Sequence, residues 1–140
     1  MLTADRNRNR LVIVLLVGAT ILLGLASRRW DYFLPGLLHK NTGDVLWAAM
    51  AFWLWGLLFA RRSTGFIAAV TTVFCIGIEF FKFIHTPGLD AIRATVLGRL
   101  VFGYLFSWSN LLCYLLGIAL AALADMAITA KPIPPDTMRA

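Results

Sequence analysis

Charge is scarce in this chain, and acidic charge most of all. Only 14 % of its 140 residues are charged, 7 Asp and Glu against 13 Lys and Arg, while 60 % are hydrophobic. An ordinary soluble globular domain has about a quarter of its residues charged, so the balance points instead to the integral-membrane class. Cysteine is nearly missing too. Cys75 and Cys113 each fall inside an apolar run, where cysteine behaves as a small buried hydrophobe, and they supply neither a disulfide framework nor a metal-ligand spacing. A nucleophile motif, a pair of metal ligands at helical spacing and a glycine-rich phosphate loop are absent as well. These absences weigh against a membrane enzyme acting on lipid phosphates, for which only His85, Asp90 and several arginines are at hand, and point to no metal site or cofactor. The net charge of +6 does not mark a nucleic-acid binder, because the basic residues sit in tails and loops between apolar runs. Anionic lipid is the partner that such a distribution meets.

The few charges divide the chain into spans. Arg6, Arg8 and Arg10 precede the first, residues 11–27, whose uncharged part is about 24 Å long as a helix against roughly 30 Å of bilayer hydrocarbon. Gly24-Leu25-Ala26 follows the arginines in the order of a cleavable leader, but Arg28-Arg29 directly after it read as an anchor, so an uncleaved span is expected. A polar connector with Pro35-Gly36 as its turn signal leads to the second span, 44–60, opened by Gly43-Asp44 and closed by Arg61-Arg62. The third, 63–85, is uncharged up to Ile78, meets Glu79 and ends ahead of Pro87-Gly88. In residues 88–106, Asp90 and Arg93 stand three apart on one helix face, and Gly98 and Gly103 interrupt an aromatic stretch. This segment is expected to be a short interfacial or re-entrant helix. Ser107 or Ser109 caps the fourth span, 109–128, in which Gly117 and Ala121, four apart, permit close helix packing. Pro132, Pro134 and Pro135 mark a disordered tail from about 130 to 140. The expected fold is a single all-α, polytopic membrane domain with four transmembrane helices and the short helix between the third and fourth.

Four spans would put both tails and the Arg61-Arg62 turn on one side. That side holds Arg6, Arg8, Arg10, Arg61, Arg62, Lys131 and Arg139; the other holds Arg28, Arg29, Lys40, Lys82, Arg93 and Arg99. The small basic excess places both termini in the cytoplasm. On the opposite face Asp44, Glu79, Asp90 and Arg93 then converge. Glu79 lies about 24 Å along the helix from Ser63, near that surface and not at the midplane. Insertion of a charge at the bilayer centre costs roughly 2.5–3.5 kcal/mol, so Glu79 is expected to face other helices or a wet cavity.

Each polar residue has a plain reading. Asp44 suits a helix N-cap, Lys82 and His85 suit a helix C-terminus, and Glu79 with Lys82, like Asp90 with Arg93, can neutralise at three-residue spacing. Trp30, Trp47 and Trp108 suit an interfacial belt. Their accumulation exceeds what anchoring needs. The candidate ligand-binding set is therefore Arg28, Asp44, Glu79, Lys82, His85, Asp90, Arg93, Arg99 and Asn110, in which arginine forks suit phosphate oxygens.

The runs IEF, HTPGLDAIRAT, LGRLVFG and FSWSNLLCYLLG closely resemble the C-terminal half of a small bacterial integral-membrane family known as domain of unknown function 2809, and GLASR and GDVLWAAM resemble its N-terminal half. The resemblance covers about residues 11–125. Its family-like positions are Ser27, Arg28, Gly43, Asp44, Glu79, Asp90, Arg93, Gly98 and Ser107-Trp108-Ser109. The chain departs from the family pattern at Lys82, where glutamine is common, and at Asn110, where aspartate is common, so a mechanism needing a carboxylate at 110 does not carry over. A looser similarity to VanZ-like proteins implies a cell-envelope context. The family is functionally uncharacterised, so the function expected rests on the residues above: a protein of the bacterial cytoplasmic (inner) membrane, more readily a binder than an enzyme. Its pocket, at the non-cytoplasmic face, would bind an anionic lipid or a lipid-linked cell-envelope precursor. The alternatives are a small transporter or flippase using Glu79 as a protonatable group, or a ligand-free accessory subunit. Membrane lipids are the expected partners, with a homo-oligomer or another membrane protein beside them.

Overall fold

The computed structural model describes residues 8–29 and 36–130, apart from the side chains of residues 28 and 36–40. The described chain forms α1 (Arg10–Arg29), α2 (Gly36–Leu58), α3 (Thr64–Phe81), α4 (Pro87–Ala94), α5 (Val96–Phe102) and α6 (Trp108–Thr129), with no strand among the described residues. Trp30 and the tail expected to be disordered lie outside them. Among the described residues, three stretches are long and apolar enough to cross a membrane, Arg10–Ser27, Thr64–Phe81 and Trp108–Thr129. Their outer faces are apolar as well: Leu22, Val73 and Leu112 are 68 %, 71 % and 70 % exposed. A surface of this kind suits lipid and not water, and it supports a membrane protein.

The second helix differs from expectation. It begins at Gly36, well ahead of Asp44, because residues 37–42 contain no proline to interrupt it. Asp44 therefore stands inside α2 and does not cap it. α2 is the centre of the bundle, packed against α1, α3 and α6, whereas α1 packs against α2 alone among the described helices. Ala48, Phe52, Ile67, Cys75 and Ile118 build the core between them. A side chain at Gly117 would run into the Val45 carbonyl and the Ala48 methyl, so glycine sets the close approach of α6 to α2. Ala121, one turn on, is buried at the same seam. Trp47 lies between Phe74 and Tyr114, with ring centroids 6.1 and 5.4 Å away. It serves the packed interior, while Trp108 is exposed.

α3 ends at Phe81, short of residue 85, as Lys82, Phe83 and Ile84 tighten into successive three-residue turns. The expected single interfacial segment is two helices. Thr86 caps α4 by accepting from Leu89 N–H, with Pro87 in the first turn, and Thr95 caps α5 by accepting from Gly98 N–H. Gly98 lies so close to the Ile92 carbonyl that no side chain fits there. This contact folds α5 tightly back on α4.

Arg8 hydrogen-bonds to the carbonyls of Ala60 and Arg62 and to the side chains of Thr64 and Asp125. The leading segment, the α2–α3 turn and the last turns of α6 thus share one end of the bundle. Glu79, Lys82, α4 and α5 occupy the other.

Candidate functional site

Glu79 is completely buried near the end of α3. Its Oε1 accepts from the Ser107 N–H at 2.7 Å and from Asn110 Nδ2 at 3.2 Å. Its Oε2 accepts from Tyr114 O–H at 3.1 Å and from the Lys82 ammonium. Four donors match what an ionised carboxylate can accept. The local sequence explains the assembly. Lys82 follows Glu79 by three residues, and Asn110 and Tyr114, four apart, share one face of α6. Ser107 is the N-cap of α6 but makes no side-chain cap, and α6 has no acidic residue in its first turn. Glu79 reaches across from α3 to supply the anion that this helix start favours. Lys82 in turn lies against Gly103, whose φ of 63° ends α5; a side chain there would meet Lys82 Cε at 2.8 Å. Glycine is required both by that backbone region and by the lysine.

Arg93 is equally buried, on α4. Its guanidinium donates to the carbonyls of Ile84 at 2.7 Å and Phe81 at 2.8 Å, reaches Asp90 Oδ1 at 3.4 Å, and lies 5.4 Å from the Phe81 ring centroid. It ties α4 to the turns that end α3, sharing the Phe81 carbonyl with the Ile84 N–H. Asp90 also meets His85 Nδ1 at 3.1 Å, in an exposed pair. The Asp90–Arg93 and Glu79–Lys82 contacts follow the spacings visible in the sequence.

Beside the Glu79 cluster is a recess of about 640 Å³. One wall comes from α1 (Thr20, Ile21, Gly24, Leu25), a second from α2 (Asp44, Trp47, Met50), and a third from α5 and the residues after it (Leu97 and Arg99 to Leu105); Lys82, Asn110 and Tyr114 form part of the lining. Of the candidate residues, Asp44, Lys82, Arg99 and Asn110 border this space. Glu79 stands behind Lys82, and His85, Asp90 and Arg93 form a separate group. Arg99 is exposed in the last turn of α5, and among the described residues its side chain makes no hydrogen bond or ion pair. The side chain of Arg28 lies outside the described residues. No group of three or more His, Cys, Asp or Glu able to hold a metal occurs among the described residues.

Sequence reasoning missed Tyr114, whose spacing from Asn110 was the available signal. It also missed the Arg8–Asp125 pair, with Nε to Oδ1 and Nη2 to Oδ2 both at 2.7 Å and Thr64 Oγ1 on Oδ2 at 2.6 Å. Residues 117 apart leave no spacing to read.

The sequence profile of a family described as a protein of unknown function, DUF2809, matches residues 33–118. The matched region takes in α2 to α5 and the first half of α6, and with them Glu79, Lys82, Asn110 and Tyr114. No solved structure matches the chain.

Proposed function

The chain belongs to the DUF2809 family of proteins of unknown function, and from that premise we propose that it is a non-enzymatic membrane protein whose recess binds an anionic amphiphile, a lipid or a lipid-linked envelope precursor. The observation that carries this reading is the recess itself, with Arg99 at its rim and both polar and apolar walls. Among the described residues that line the recess, Lys82 is engaged by Glu79, so Arg99 is the cation left to meet a phosphate, for which its planar fork is suited. Trp47, Met50, Ile21 and Leu25 offer the apolar part, and a concave site of this size and mixture is the usual form of a small-ligand pocket.

In the same proposal α2 is a fourth span, enclosed by the three others. α4 and α5 lie at the membrane surface with Arg93 turned inward and Ile92 and Val96 outward. The Arg8 end faces the cytoplasm of a bacterial inner membrane, and the recess is on the opposite face. Against phosphatidylcholine, the purified protein is expected to retain phosphatidylglycerol in native mass spectra, and Arg99→Ala to lower that retention severalfold. Equal retention by the variant would sink the reading.

A ligand-free accessory subunit is the second reading. It is favoured by the Glu79 carboxylate, both of whose oxygens are satisfied within the protein. A protein that retains neither lipid above the other supports it.

A further inference from the structure

We propose that the α2–α3 turn, at the end of the bundle opposite the recess, is a lipid site of its own, in which Arg61 and Arg62 hold the phosphate of an anionic phospholipid while Phe59 and Phe66 lie against its acyl chains. The site is independent of the recess and of its occupant.

The turn presents its cations and withdraws its acceptors. Arg61 and Arg62 are both exposed, and among the described residues neither guanidinium makes a hydrogen bond or an ion pair. The carbonyls of Ala60 and Arg62 accept from Arg8 Nη1, and the Phe59 carbonyl accepts from the Arg62 N–H at 2.9 Å. Three oxygens that would repel an anion are thus occupied. Arg8 is itself anchored on Asp125 through Nε and Nη2, both at 2.7 Å, so the backbone that carries the two arginines is fixed from inside the bundle. Less order then has to be imposed when a ligand binds.

Arg62 is held further. Its Cζ lies over the Phe66 ring, 5.2 Å from the centroid, within the range of a cation–π contact, and Phe66 meets Phe59 edge to face at 5.7 Å. A cation that only anchors a helix end carries its charge out to water on a free stem. Here the ring joins the cation to the apolar flank.

That flank supplies the second half of the match. Leu58, Phe59 and Phe66 are 70 %, 37 % and 38 % exposed, and α3, which Phe66 opens, is one of the stretches able to cross a membrane. Guanidinium forks take phosphate oxygens in pairs, and exposed rings take methylenes. A phospholipid carries both groups side by side, whereas a free phosphate would leave the apolar half uncovered.

Charge selects among phospholipids. At this end Asp125 is the one acidic residue among those described, and it is buried in the grip of Arg8. Asp44, Glu79 and Asp90 belong to the other end. The turn therefore offers no described carboxylate to the ammonium of a zwitterionic head group, and a head group carrying negative charge alone, as in phosphatidylglycerol, is preferred.

The test places a reporter under Arg62. Phe66→Trp keeps an aromatic ring there, and in vesicles of dioleoyl phosphatidylglycerol and dioleoyl phosphatidylcholine, with one lipid or the other brominated, quenching of the emission it adds to the full-length protein gives the relative affinity of the two lipids at the turn. Phosphatidylglycerol is expected to be favoured about fivefold, and the preference to vanish when Arg61→Gln and Arg62→Gln are added. Val73→Trp, on the exposed middle of α3, should report no preference. An excess of inorganic phosphate should change nothing relative to sodium chloride at the same ionic strength. A ratio near one at residue 66, a preference that survives both Gln substitutions, an equal preference at residue 73, or displacement by phosphate overturns the inference. Arg99→Ala should leave the ratio at residue 66 unaltered, and a fall there would show that the reporter senses the recess and would overturn it as well. Failure at the turn leaves the Arg99→Ala test of the recess standing. Should the double Gln variant aggregate or insert in mixed orientation, the ratios at residues 66 and 73 with both arginines present decide alone.

Discussion

Two carboxylates are buried at opposite ends of the bundle, and they are neutralised in different ways. Asp125 is gripped by both arms of the Arg8 guanidinium, whose remaining donors hold the carbonyls of Ala60 and Arg62 and the Thr64 hydroxyl. Glu79 has one charged partner, the Lys82 ammonium, and three neutral donors. A planar fork fixes geometry, while an ammonium on a flexible stem can turn elsewhere. The surroundings match the chemistry. The Arg8 cluster ties three chain segments together, and three of Glu79's four donor groups belong to residues that border the recess or lie next to one that does. Saturating a buried carboxylate is therefore no mark of a binding site by itself; the space beside its partners is.

The largest expected effect tests the rigid end. Arg8→Ala leaves Asp125 buried without its guanidinium and should cost about 3–5 kcal/mol, read as denaturant unfolding in mixed micelles. Combining Arg8→Met with Asp125→Leu should recover most of that, since an apolar pair replaces the charges together. Glu79→Gln should cost less, about 2–3 kcal/mol, because Lys82 borders the recess and can swing its amine into it. A cost above that of Arg8→Ala would break the comparison. Gly117→Ala should lose about 1–2 kcal/mol by pushing α6 off the Val45 carbonyl, at the low end of overpacking penalties. That effect should be the same whether or not lipid is bound. The smallest change in stability is expected for Arg99→Ala, within about 0.5 kcal/mol as for other exposed positions, although this variant should have the largest effect on lipid retention. An unfolding cost above 1 kcal/mol would show that Arg99 braces the fold and would weaken its assignment to a ligand.

Contacts between near neighbours in the chain were legible in advance. Glu79 with Lys82 and Asp90 with Arg93 follow from helical spacing, and Gly117 with Ala121 marked the seam that α6 makes with α2. The apolar runs gave the long helices because burial and length are read directly from composition. Helix boundaries were less legible. Asp44 after Gly43 looks like a cap, yet the preceding residues are sufficiently helix-compatible for α2 to extend back to Gly36. Thr95 splits the α4–α5 segment by capping, which a count of apolar residues does not register. The Arg8–Asp125 pair and the place of Tyr114 on Glu79 arise only when distant segments meet, and nothing in either local sequence announces them.

The position of α6 in the chain gives its contacts a bearing on biogenesis. Ribosomal synthesis delivers Arg8 first and α6 last among these helices, and α6 carries Asn110 and Tyr114 for Glu79 and Asp125 for Arg8. Until Ser107 and α6 emerge, Glu79 has Lys82 alone of its four donors, and Arg8 lacks the Asp125 carboxylate. Both ends of the bundle stay electrostatically incomplete for the whole of translation up to the final helix, whose arrival completes them together.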